Sequence, residues 1–230
     1  MWPRGLVVGR TSGVMGSVSN AEVAEIVALH ADRFVGAGSL DLSDRHRAMA
    51  GIDEAMELGF PILNIEPGAA TTPMYTDDRR LYPIYAACAG KGLPVIVMCG
   101  GNAGPDLSYT EPQRIDRVLA DFPELRVVAS HGNWPWVSEI IHVAFRRPNL
   151  YLSPDMYLPN MPGMDDYVKA AAGFLADRCI YGSSFPFCGV QQYADWFRAL
   201  PIGSAAMVKV TWRNAAGLLG LDDPENGDPT

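Results

Sequence analysis

The sequence predicts an α/β fold built on a parallel sheet, and three observations carry that prediction. Short apolar, β-rich runs alternate with helical patterns along nearly the whole chain. The runs are continuously apolar rather than alternating, as strands covered on both faces are. They begin roughly 30 residues apart, the length of one strand–loop–helix–loop unit. Strict alternation of such units implies a sheet covered by helices, either a (β/α) barrel or an open doubly wound sheet.

In order, the candidate strands cover residues 6–8, 34–37, 62–65, 95–98, 127–130, 150–152 and 180–181. Between them the pattern predicts helices over 21–30, 44–58, 78–90, 113–122, 136–146, 165–176 and 193–199. Asn20, Ser43 with Asp44, and Thr76 with Asp77 supply start signals for the first three helices, and Pro112 suits the first turn of the fourth. Gly59 and Pro61, then Gly92 and Pro94, announce strands. A last helix over 205–219 precedes a polar, frayed end over 222–230, so a single domain is expected over 1–221. No G-x-G-x-x-G follows an early strand, and the lone Gly-rich run Gly100-Gly101-Asn102-Ala103-Gly104 is weak evidence for a phosphate cradle. The barrel is therefore preferred. It would show seven strands where a closed one needs eight. The shortfall is placed at the N-terminus, with a missing first βα unit and a recorded start internal to a longer product as the expectation.

Composition narrows the function classes. The chain has 230 residues, 48% of them hydrophobic, with 18 Lys and Arg against 26 Asp and Glu. With a net charge of −8 and no basic run, nucleic acid is excluded as the expected partner. No apolar run reaches membrane-spanning length and the first residues lack a signal-peptide core, so a soluble, cytoplasmic protein is expected. The four Cys form no C-x-x-C pair, which argues against a zinc knuckle or a disulfide framework.

In a parallel barrel the strand carboxyl ends and their following loops converge on one mouth. Here they bring Arg10, Thr11 and Ser12; Ser39 and Asp41; Asn64 and Glu66; Met98 and Cys99; His131 and Asn133; Ser153 and Asp155; and Ser183 and Ser184. Trp134, Trp136, Met156, Tyr157, Phe185 and Phe187 would add apolar walls, as a small-molecule pocket requires. His131 stands out, a titrating side chain delivered where the strand Val127-Val128-Ala129 ends. Plainer readings stand beside the sharp ones: His131 bonding a loop carbonyl, Glu66 bracing a loop, Asp155 in an Asx turn, and the two Trp as packing. Ser184 lacks a G-x-S-x-G elbow, so a serine hydrolase is disfavoured.

Several segments, in order and spacing, resemble the amidohydrolase-related family, in its branch containing aminocarboxymuconate-semialdehyde decarboxylase. They include Asp32-Arg33-Phe34-Val35-Gly36, Tyr82-Pro83-Ile84-Tyr85, Asp121-Phe122-Pro123-Glu124-Leu125, Ser130-His131-Gly132 with Pro135-Trp136, Arg147-Pro148-Asn149-Leu150-Tyr151 and Gly182-Ser183-Ser184-Phe185-Pro186. The resemblance implies a TIM-type (β/α)₈ barrel and a hydrolase or carboxy-lyase. It places His131 at the branch's acid/base position. It also implies metal ligands that this chain lacks: a His-x-His on the missing first strand, a His where Met98 stands and an Asp where Ser184 stands. Metal loss is therefore expected, with no cofactor. Zinc or another divalent ion would need an upstream His-x-His or a site rebuilt from Cys99, His131 and Asp155.

The resulting expectation is a hydrolase or decarboxylase of a small, acid-like, aromatic or unsaturated substrate, independent of metal. His131 is the general acid/base, with Asp155 or Glu66 as its partner. Arg10 pairs a substrate carboxylate, and Asn64, Met98, Asn133, Trp134, Tyr157, Ser184 and Phe185 line the pocket. The alternative is an inactive barrel that binds a ligand or supports a partner. A homodimer is the oligomer that the 134–136 segment would suit.

Overall fold

The computed structural model describes residues 4–13 and 15–221; the polar end expected over 222–230 lies outside them. Six parallel strands form a curled sheet in the order β1 (Gly5–Val8), β4 (Phe34–Ser39), β5 (Leu63–Ile65), β6 (Val95–Met98), β7 (Val127–Ser130) and β8 (Leu150–Ser153). Each is followed by helical structure, so the TIM-barrel-like α/β architecture expected from the sequence is present.

The strands from β4 to β8 are mostly apolar and buried, as strands covered on both faces are, whereas β1 at the sheet edge leaves Leu6 and Val8 exposed. On the outer face Leu63, Val95, Val127 and Leu150 pack against the helices in one continuous core. The inner face holds a smaller cluster of Ala37, Ile62, Ile96 and Val128, closed by Leu218. Those helices are α1 (Asn20–Leu29), α2 (Arg45–Glu57), α3 (Tyr82–Lys91), α4 (Pro112–Asp121), α5 (Val137–Arg146), α6 (Met164–Ala172) and α7 (Val190–Arg198).

Local chemistry sets several of their ends. Ser19 and Glu22 form a capping box on α1, and the Asp44 side chain accepts the Arg47 N–H at the start of α2. Pro83 and Pro112 occupy the first turns of α3 and α4, where no intrahelical N–H is needed. Gly92 ends α3 in the left-handed region at φ 65°.

Four details differ from the sequence expectation. The third helix begins at Tyr82 rather than 78, because Asp78 and Arg80 close a turn ahead of it through two side-chain hydrogen bonds. Asn20 is not the cap of α1. It opens the helix, and its buried amide bonds both the N–H and the carbonyl of Ser39. A short hairpin of β2 (Arg10–Thr11) and β3 (Ser17–Val18), absent from the expectation, follows β1.

The fourth difference is at 180–181, where the expected seventh strand is reduced to one bridge, Leu152 to Cys179. Its ladder is cut short because the Tyr181 N–H donates to the Val210 carbonyl instead of to a strand. That carbonyl belongs to a π-helical turn (Lys209–Arg213) joining α8 (Ser204–Val208) to α9 (Asn214–Leu219), so the single helix expected over 205–219 carries one widened turn.

Buried asparagines tie the helices to the sheet. The Asn149 amide donates to the carbonyls of Phe122 and Leu125, and Asn214 does the same for Ala176 and Cys179. Replacing Asn149 by Leu takes the side-chain donor from the buried Leu125 carbonyl and leaves the Phe122 carbonyl with the Leu125 N–H alone. The expected cost is about 2 kcal/mol, read as a lower urea midpoint with an unchanged m-value.

Candidate active site at the carboxyl ends of the strands

The parallel register sorts the inner face into levels. Ser39, Asn64, Ile96, Val128 and Tyr151 lie side by side. Two residues further on, Met98, Ser130 and Ser153 form the next level. The face therefore turns from apolar at its base to polar at its mouth, where the loops begin.

His131 and Asp155 meet at that mouth. The His131 backbone N–H donates to Asp155 Oδ2 at 2.9 Å, and its ring Nδ1 lies 3.0 Å from both carboxylate oxygens. An ionised carboxylate only accepts, so Nδ1 carries the proton and Nε2 is left without a protein partner among the described residues. Both residues hold left-handed backbone, with φ of 60° at His131 and 44° at Asp155. Strain of this kind in non-glycine residues persists where surrounding bonds fix it, and it gathers at functional sites. Asp155 is buried, and His131 is partly open to the mouth.

Tyr157 and Trp134 wall the imidazole. The Tyr157 ring stands edge-on to His131 at 5.3 Å between centroids and stacks on Trp134 at 5.2 Å. Burial pushes the Tyr157 hydroxyl up, and the hydroxyl lies against the backbone at Gly101. Gly101 permits this. Its φ is +64°, and a Cβ there would overlap the Tyr157 hydroxyl.

A second group lies on β2 and β5. Arg10 Nε donates to Glu66 Oε1 at 2.9 Å, and Asn64 donates to the Gly9 carbonyl at 3.0 Å and to the same carboxylate oxygen at 3.3 Å. Glu66 is 5% exposed, yet its Oε2 has no hydrogen-bond partner among the described residues. A buried carboxylate oxygen left bare is costly. Its place at the mouth makes it a candidate acceptor for a ligand hydroxyl.

Not every expected lining residue faces the mouth. Asn133 is 1% exposed and donates to the Thr110 carbonyl at 2.6 Å, bracing the loop on which Trp136 also bonds Thr110. Phe185 is 70% exposed and builds no wall. Met98 is buried on the inner face, and Ser184, at φ 49°, sits half-buried in the loop after residue 181. Two tyrosines that the sequence did not single out, Tyr167 and Tyr193, reach this region from α6 and α7.

The donor set does not fit a divalent cation. Met98 offers a thioether and Ser184 a neutral hydroxyl, both poor ligands beside imidazole and carboxylate. Burial pushes the Cys99 thiol up to about 12. Glu66 already faces the Arg10 guanidinium. Among the described residues no three His, Cys, Asp or Glu side chains converge.

Residues 7–221 match the family model described as amidohydrolase. An uncharacterized TIM-barrel protein from Bordetella bronchiseptica is 57% identical, with a TM-score of 0.93 over 95% of this chain and 78% of that one. Gamma-resorcylate decarboxylase of Polaromonas sp. is 22% identical over 89% of this chain and 76% of that protein. The crystal structure of a dihydroxybenzoic acid decarboxylase from Polaromonas sp., with bound manganese and the inhibitor 2-nitroresorcinol, superposes with a TM-score of 0.73 at 20% identity, covering 91% of this chain and 76% of that one.

The Gly101 geometry makes a direct prediction. Gly101→Ala is expected to cost about 1–3 kcal/mol, from left-handed backbone and overpacking together. It should also tip Tyr157 off Trp134, read as a changed near-ultraviolet circular dichroism spectrum while the far-ultraviolet spectrum is kept.

Proposed function

The chain belongs to the amidohydrolase family, and from that premise we propose that it decarboxylates a small aromatic acid using His131, with no metal in the chemical step. The carrying observation is the bonding of His131 to Asp155 through both backbone N–H and Nδ1, which leaves Nε2 free at the mouth. The name of the decarboxylase relatives supports the substrate class.

In this reading the protonated Nε2 of His131 gives its proton to the ring carbon bearing the carboxylate. The bond from that carbon to the carboxyl carbon then breaks, its electron pair returns to the ring, and carbon dioxide leaves. The ring keeps the proton, and His131 regains one from water. A positioned acid of this kind contributes roughly 10² to 10⁴ in rate. Asp155 stabilises the imidazolium and fixes its orientation. Arg10 holds the substrate carboxylate through the guanidinium nitrogens that Glu66 does not occupy. The free Oε2 of Glu66 accepts a ring hydroxyl, and Trp134 with Tyr157 pack the aromatic plane. Asn64 keeps Glu66 in place. The same His131–Asp155 pair would activate a water for hydrolysis, and carbon dioxide release separates the two reactions.

The test is a decarboxylation assay over hydroxylated benzoates, 2,6-dihydroxybenzoate first. His131→Asn is expected to lower kcat about 10³-fold with an unchanged circular dichroism spectrum, and full activity in that variant would remove His131 from the mechanism. No turnover of any acid by the wild-type protein, together with ligand-induced thermal shifts, would favour a binding barrel instead. A separate check addresses the metal. Activity is expected to survive exhaustive chelation, with no stoichiometric metal by elemental analysis, whereas loss on chelation and recovery with manganese would overturn the metal-free step.

A further inference from the structure

We propose that Tyr167 and Tyr193 are positioning residues that hold the His131–Asp155 pair in alignment by bonding the backbone of its two turns. The Tyr167 hydroxyl, from α6, donates to the Gly132 carbonyl at 2.7 Å. The Tyr193 hydroxyl, from α7, donates to the Asp155 carbonyl at 2.6 Å. One phenol thus grips the turn that carries the imidazole, and the other grips the turn that carries the carboxylate.

Three features separate these bonds from ordinary core bonds. Both turns hold left-handed residues, His131, Gly132 and Asp155, that relax unless something outside the turn restrains them. Both rings are nearly fully buried, and burial pushes both phenols well up, so each hydroxyl keeps its proton and serves as a donor. The space behind Asp155, lined by Tyr167, Tyr193, Leu158, Phe197 and Val210 among others, is a cavity of about 10 Å³. That is the room of one water in a largely apolar wall, so no solvent network stands ready to replace a lost phenol. The ionisable groups facing Asp155 are His131, Cys99, Tyr157, Tyr167, Tyr193 and Cys188. Among them only Tyr167 and Tyr193 bond the backbone of the pair's turns.

The kcat arm of the test rests on the reading of His131 given above, while its spectroscopic arm does not. Tyr167→Phe and Tyr193→Phe remove one hydroxyl each and keep the ring. Tyr85→Phe is the control, because the Tyr85 hydroxyl is equally buried and donates to a backbone carbonyl, that of Thr76, on an unrelated turn. Proton NMR follows the low-field signal of the His131 Nδ1–H bonded to Asp155, assigned by its absence from His131→Asn.

In Tyr167→Phe and Tyr193→Phe this signal is expected to shift or broaden. Where the wild-type protein turns over an aromatic acid, kcat should fall about tenfold with KM within about twofold. Tyr85→Phe, with a comparable loss in Tm, should leave signal and kcat unchanged. An unmoved signal in both test variants, or the same change in the control, would overturn the proposal. A shifted signal without turnover in any variant supports the positioning role and counts against the decarboxylase reading alone.

Discussion

Asp155 gathers two donors from a single residue, the backbone N–H and the ring Nδ1–H of His131, and the geometry of the mouth depends on that double hold. A carboxylate that bonded only the ring would let the imidazole swing on its χ angles. Bonding the backbone as well ties the strand end and the side chain to one point, so that moving either costs a charge-assisted bond. The arrangement requires each chain segment to turn at once, which is why both residues sit in left-handed backbone. Two Pro peptides near the mouth, after Trp134 and after Phe185, are cis.

The two faces of the sheet differ. Facing the helices, each strand offers only packing, and the outer core is continuous from Val23 to Val210. On the inner face two residues of rise, about 7 Å, separate Ile62 from Asn64 and Val128 from Ser130. Apolar base thus gives way to polar mouth within the length of a short strand. Arg10 and Glu66 enter this interior as a pair, so the carboxylate is balanced before any ligand arrives. With Glu66 buried but Arg10 30% exposed, a pair of this kind contributes little to stability. Among the described residues the second carboxylate oxygen of Glu66 has no hydrogen-bond partner.

Much of this was legible in the chain. The strands announced themselves because burial on both faces demands unbroken apolar runs, and six of the seven expected are present. Residues 180–181 carry the same composition, yet only Ile180 bonds a strand, at Leu152, while Tyr181 donates to a helix carbonyl, a partner that no local pattern records. The hairpin of Arg10–Thr11 with Ser17–Val18 is too short and too polar to show any period. His131, Asp155 and Glu66 were readable from position alone, at strand carboxyl ends. Tyr167 and Tyr193 were not, because at helical spacing they look like any core aromatic, and only the fold brings their hydroxyls to the mouth. Asn133 misled for the opposite reason. It sits two residues from the imidazole, but its amide is turned inward to Thr110.

The widened turn at Lys209–Arg213 has a geometric consequence for the far end of the molecule. It inserts one residue into a helix that otherwise runs on from Ser204 to Leu219, and in an α-helix each residue advances the azimuth by about 100°. The extra residue therefore sets the phase of everything after it. With that phase Leu218 closes the inner cluster at the base of the sheet, and its carbonyl meets Arg126 at the amino end of β7. One surplus residue acts as a phase shifter, turning a helix that caps one edge of the sheet so that its last turn also plugs the floor.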